Sequence, residues 1–159
     1  MAKDTDDMTD QEIRQRIINL AFEGNEKYFV QFREKLRAGL PQDTGVALRG
    51  SAVTNERYED KRRFDADGKG TSDLDVTLIG DEVIKLWDDH AFYIPKLHTK
   101  PLCDQDPGIA PALRPLREEL QKMMHRPVNF QATANFILFV RDVIFDQPYY
   151  TLIEPGKTS

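Results

Sequence analysis

A chain of 159 residues with 40% apolar and 31% charged residues is long enough for one domain with a substantial core. Its formal net charge of −5 supplies no general basic field, so strong sequence-independent nucleic-acid binding is not expected. A single cysteine, Cys103, excludes an internal disulfide framework and cysteine-based zinc sites, and fits a reducing compartment.

Met1 to Met8 is acidic and has no apolar run, so it reads as a flexible tail (residues 1–8), not a signal peptide. The longest strongly apolar run, Phe136 to Val140, is far too short to span a bilayer. The expectation is therefore a cytoplasmic protein with no membrane partner, folded as a single domain over residues 9–159.

Thr9 followed by Glu12 is a capping-box pattern and predicts a helix start. Ile13, Ile17, Leu20, Ala21, Tyr28, Phe32 and Leu36 then recur at helical spacing, with Gly24-Asn25 as a break. Gly39 and Pro41 mark the stop. Val46 to Leu48 predicts a first strand and Asp75 to Ile79 a second. Between them, Asn55 to Gly70 is dense in charge of both signs. It reads as a solvated loop, or as a lid whose Lys61, Arg62 or Arg63 reaches phosphates.

Beyond the second strand, Asp81 to Trp87 predicts a short helix, Phe92 to Leu97 has no clear period, and Lys100 to Pro111 reads as loop. Pro111 to His125 predicts a helix with Leu113, Leu116, Leu120 and Met124 on one face, ended by Arg126-Pro127. Val128 to Ala132 alternates as a half-buried strand does. Phe136 to Phe145 is assigned as a helix capped by Asn135, and Tyr149 to Ile153 as an edge strand. The order implies an α+β fold: a small mixed β-sheet with helices packed mainly on one face.

Chemistry concentrates in Val46 to Ile79. The first strand leads into Gly50-Ser51, where a residue without Cβ lets backbone N–H groups approach a phosphate. The second opens with Asp73 and Asp75, two apart and so on one face of a strand. Two such carboxylates repel unless a cation lies between them, which points to a divalent metal. Other chemistries match less well. An EF-hand numbered from Asp65 has Lys69 at a ligand position and Val76 in place of the bidentate glutamate. His90, His98 and His125 lack metal-ligand spacing, and Ser51 lacks the Gly-x-Ser-x-Gly elbow of a hydrolase nucleophile.

A strand ending in Gly50-Ser51, followed by a strand carrying Ser72-Asp73-x-Asp75, resembles the nucleotidyltransferase superfamily that includes DNA polymerase β and the minimal nucleotidyltransferases. The matching stretch covers about a fifth of the chain. The resemblance implies a nucleotidyltransferase fold, Mg²⁺ (or Mn²⁺) held by Asp73 and Asp75, and a nucleoside triphosphate whose β/γ-phosphates lie on Gly50 and Ser51. Arg49 and Ser72 are further candidates for the nucleotide site. It also implies transfer of a nucleoside monophosphate to a hydroxyl on a protein, an RNA end or a small molecule. The alternative is a catalytically weak or inactive module of the same fold that acts as a nucleotide-binding regulator or protein-interaction partner. Two departures stand out: the insert between the motifs is longer than usual, and no clear third carboxylate follows. The later strand, Val128 to Ala132, offers only the amides Asn129 and Gln131 on its polar face, with Asp142 a substitute only if residues 136–145 form a strand.

Overall fold

The structure is a computed structural model that describes residues 5–57 and 60–156. Residues 1–4 of the acidic tail, Tyr58 and Glu59 of the insert, and residues 157–159 lie outside the described residues. Thr5–Asp7 form a 3-10 turn in which Thr5 is buried and accepts a hydrogen bond from Arg16 at 2.9 Å.

Helix α1 (Asp10–Ala21) starts where the capping box places it. Glu12 N–H donates to the Thr9 hydroxyl at 3.2 Å, and Thr9 N–H donates to Glu12 Oε1 at 3.0 Å. The break at Gly24-Asn25 is real: Glu23 and Gly24 turn left-handed, and Asn25 caps α2 (Glu26–Gly39). Strand β1 (Gly45–Arg49) runs into the short helix α3 (Ser51–Thr54). Strand β2 (Leu74–Ile79) and helix α4 (Asp81–Ile84) follow the insert. Strands β3 (Phe92–Ile94) and β4 (His98–Thr99) form a hairpin that turns at Lys96, which has a φ of 64°. This hairpin was not expected, because two- and three-residue strands are too short to show a period. Helix α5 (Arg114–Met124), strand β5 (Val128–Thr133), helix α6 (Phe136–Asp142) and strand β6 (Tyr149–Ile153) complete the chain.

The result is an α+β molecule with a six-stranded mixed sheet, and six α-helices among the described residues. The strand order is β3-β4-β5-β2-β1-β6. β2 and β5 are parallel, and the other neighbours are antiparallel. Alternation assigns one face of the central strands to the core, where Val46, Leu48, Leu74, Val76, Leu78, Val128, Phe130 and Ala132 are all buried. Helices α1 to α5 all supply side chains to that cluster, among them Ile17, Phe32, Val53, Val83 and Leu120.

The opposite face is polar. Its first row across the strands is Tyr149, Arg49, Asp75, Asn129, and its second is Thr151, Ala47, Thr77, Gln131. Helix α6 covers part of this face, chiefly through Phe139, which is fully buried. Phe139 lies under the Arg49 guanidinium at 5.7 Å and edge-on to the His98 ring at 5.6 Å. In the first row Phe136 of α6 also packs edge-on to Tyr149 at 4.7 Å, while Asp75 and Asn129 stay half-buried, and the candidate site is there.

Candidate functional site

A cleft of about 440 Å³ opens over the end of β1 and the start of β2. That volume suits a small-molecule ligand. Arg49, Gly50, Ser51, Ser72, Asp73 and Asp75, the six residues singled out from the sequence, all line it.

Strand register brings the two motifs together. β1 and β2 are antiparallel neighbours with Arg49 opposite Asp75, so the turn after Arg49 lies beside the residue that starts the Asp-x-Asp strand. Gly50 has φ 80° and ψ −155°, a region essentially closed to residues with a side chain. A Cβ at Gly50 would stand 2.7 Å from Asp75 Oδ2, so the backbone and the carboxylate pack at a distance only hydrogen allows. Helix α3 begins at once and Gly50 provides no side-chain cap, which leaves the leading N–H groups of that turn without a side-chain acceptor. The half-buried Ser51 hydroxyl makes no hydrogen bond to a described residue.

Leu74 is fully buried in the core and points Asp73 and Asp75 to the polar side. The two carboxylates meet at Asn129, which is paired in parallel register with Asp75. Asn129 Nδ2 donates to Asp73 Oδ2 at 2.9 Å and to Asp75 Oδ1 at 3.3 Å. One neutral amide thus bridges both acids where a third carboxylate would have added to their repulsion. Among the described residues no group of three or more His, Cys, Asp or Glu side chains is placed to hold a metal. Asp73 and Asp75 remain a fitting pair for one Mg²⁺, which takes one or two protein carboxylates and fills its other positions with water and phosphate oxygens. Asp142 does not complete the set. It lies on α6, where it accepts from His98 Nε2 at 3.2 Å and from Arg141 at 2.8 Å.

Arg49 donates to Thr77 Oγ1 at 3.1 Å and to Gln131 Oε1 at 2.9 Å, both neutral acceptors. No carboxylate among the described residues lies within ion-pair distance of it. Its charge is thus free to meet an anion. Ser72 has a different role. It is buried, its hydroxyl accepts from Asp65 N–H at 2.7 Å, and its own N–H donates to Asp65 Oδ1 at 3.0 Å. It fixes the approach to Asp73, and its hydroxyl, which only accepts here, keeps its own O–H as a donor at the cleft wall.

The insert is more than a solvated loop. Phe64 is buried, with the Arg126 guanidinium 4.5 Å above its ring. Arg126 pairs with Asp65 through both terminal nitrogens at 2.8 and 2.9 Å and donates to Ser72 O at 2.9 Å. Burial on its own would push the Asp65 carboxyl up, but Arg126 and the Ser72 and Gly70 N–H groups outweigh it and hold it below the ordinary carboxylate range. The acids that an EF-hand numbered from Asp65 would use are engaged elsewhere, Asp65 with Arg126 and Asp67 with Arg57 and Arg62. The insert's cation on the cleft wall is Arg57, not Lys61, Arg62 or Arg63. Its hydrogen bonds to the Asp60 and then the Asp67 carboxylates raise its already high pKa further. Neither Arg57 nor the Arg126 tether was anticipated: one arginine in a mixed-charge run looks like any other, and the tether joins residues 61 positions apart.

Comparison with protein-family models, with curated proteins and with solved structures finds no match to this chain. The functional reading therefore rests on the geometry of the cleft.

Proposed function

We propose that the chain is a nucleotidyltransferase-fold protein that binds a nucleoside triphosphate with Mg²⁺ (or Mn²⁺). It transfers the nucleoside monophosphate slowly to a hydroxyl acceptor. The observation that carries this reading is the convergence of Gly50-Ser51 and Asp73-x-Asp75 on one cleft, with Gly50 packed against the Asp75 carboxylate. Support for the finer fold assignment is the unit β1, Gly50-Ser51, α3 lying antiparallel to the Asp-x-Asp strand, with a third strand parallel to it.

In this reading the Ser51 hydroxyl and the first N–H groups of α3 hold the terminal phosphates, and Arg49 supplies a charge-assisted contact. Asp73 and Asp75 hold the metal, which when bound neutralises the triphosphate and aligns its α-phosphorus for in-line attack. The acceptor oxygen forms a bond to that phosphorus as the bond to the pyrophosphate oxygen breaks, and pyrophosphate leaves. The acceptor's proton must go to a base. Asn129, an amide, cannot take it. Asp75, the carboxylate in that row of the sheet, is shared with Asn129 and assigned to the metal, so the proton passes to solvent water. Turnover is therefore slow, and this same substitution favours the second reading, a nucleotide-binding regulator.

Thermal unfolding with and without MgATP and MgGTP tests the reading, because a ligand stabilises only the state that binds it. Ligand at 100 times its Kd adds about 2.7 kcal/mol, or roughly 5–10 °C for a chain of this size. Asp73→Asn and Asp75→Asn should each stay folded and lose most of the metal-dependent shift. No shift with any of the four nucleoside triphosphates would overturn the proposal.

A further inference from the structure

One wall of the cleft is built differently from the rest. It is the segment after α6, where Val143, Ile144, Phe145 and Gln147 line the same cavity as Ser51 and Asp75. Ile144 is 3% exposed and anchors the segment, while Phe145 is 70% exposed. A lone exposed phenylalanine needs no explanation. This one has a φ of 50°, and Asp146 after it has 61°, two successive left-handed residues of which neither is glycine. A bulky aromatic in that region is strained, and such strain persists where surrounding structure enforces it. Here Asp146 N–H donates to Val140 O at 2.9 Å and Gln147 N–H to Ile144 O at 3.0 Å, which fixes the turn. The Gln147 side-chain amide makes no hydrogen bond to a described residue.

The cleft lining therefore combines charged groups, Arg49, Arg57, Asp73 and Asp75, with an apolar segment that carries one exposed ring and one unengaged amide. We infer that the Val143–Gln147 wall is the nucleobase subsite: the base stacks on Phe145, and Gln147 reads the edge of adenine. This rests on the nucleoside triphosphate reading above. A nucleotide is the ligand whose charged phosphates and flat base match those two kinds of lining. Bases stack on aromatic rings whatever their identity. An amide presents a donor and an acceptor side by side, which pairs with adenine N7 and N6, whereas guanine offers two acceptors there.

The test is calorimetric binding, with Mg²⁺, of α,β-methylene ATP, α,β-methylene GTP and inorganic tripolyphosphate to the full chain and to Phe145→Ala, Phe145→Trp and Gln147→Ala. Phe145→Ala should weaken the ATP analogue at least about five-fold and leave tripolyphosphate unchanged, with Phe145→Trp near wild type. The wild-type chain should prefer the ATP to the GTP analogue, and Gln147→Ala should erase that preference. Phe145→Gly adds a second readout: relieved of its strained backbone, it should melt at the wild-type temperature or above while binding the ATP analogue as poorly as Phe145→Ala. Equal binding of the ATP analogue by wild type and Phe145→Ala would overturn the subsite but leave the phosphate site standing. So would an equal loss for tripolyphosphate, or a lower melting temperature for Phe145→Gly, since both mark a structural role. Equal ATP and GTP affinity in the wild type would overturn the adenine assignment. Failure of the wild type to bind any triphosphate, inorganic included, would overturn this inference together with the reading beneath it.

Discussion

Gly50 shows how much one missing side chain decides. Its backbone occupies a region closed to other residues, and the Asp75 carboxylate fills the space a Cβ would take. Gly50→Ala should therefore cost about 1–3 kcal/mol, read as a lower denaturant midpoint at unchanged slope, and should weaken metal-dependent ligand binding as Asp75 is displaced. An unchanged midpoint would mean that the turn and the carboxylate yield to each other freely. Asn129 is the complementary case. It satisfies two acids at once without adding charge, which keeps the pair together in the absence of a cation. Placing Gly50 and the two acids at the site needed only residue types and their order. Pairing Asn129 with Asp75 needed the strand register.

At the scale of elements, the insert is tied to the end of α5 by a buried ion pair. The Arg126 side chain is 4% exposed and Asp65 17%, and a Cβ at Gly70 would stand 2.6 Å from His125 O. Arg126 sits just past the helix end, where His125 turns left-handed as the cap. Truncating one partner of such a pair strands the other charge, so Asp65→Ala should cost about 3–5 kcal/mol and loosen the path into Asp73. The pH dependence has a definite sign. Asp65 is depressed in the folded state, so its contribution is complete above the unfolded carboxylate pKa, about 3.9. It is lost as pH falls through the folded value. Denaturation curves of wild type and Asp65→Asn should differ most near neutral pH and converge in strong acid, below that window. A gap that stays constant down to pH 2 would show that the carboxylate charge contributes nothing. The insert's composition suggested solvation because its charges are numerous. What composition could not show is that Phe64 and Asp65 have a partner waiting at Arg126.

At the scale of the whole molecule, the sheet divides the work by face. One side is a continuous apolar core under five helices, and the other is a polar surface that α6 only half covers. The uncovered part holds Asp73 and Asp75, and the residue in register with Asp75 on β5 is the amide Asn129 rather than a third acid. Titration of Mn²⁺ in the presence of a non-hydrolysable triphosphate should therefore show one strong metal site per chain. Asn129→Asp, which restores a carboxylate opposite Asp75, should raise the count to two. Two tight sites in the wild type would require an acid beyond Asp73 and Asp75. No helix among the described residues is long and apolar enough to cross a membrane.

The chain's own order of residues determined what depends on local chemistry. The capping box at Thr9, the break at Gly24-Asn25, the alternation that buries Leu74 while presenting Asp73 and Asp75, and the Gly50-Ser51 turn all follow from side chains and their near neighbours. Tertiary structure alone decided what depends on distance along the chain. It set β5 parallel to β2, so that Asn129 meets both acids, and returned the segment after α6 over the cleft, so that Phe145 faces it. It also joined Asp65 to Arg126, and built the β3–β4 hairpin from strands too short to declare themselves. The physical reason is the same in each instance. Propensity, capping and alternation act within a few residues, whereas pairing register and buried charge partners are selected by packing the whole sheet at once.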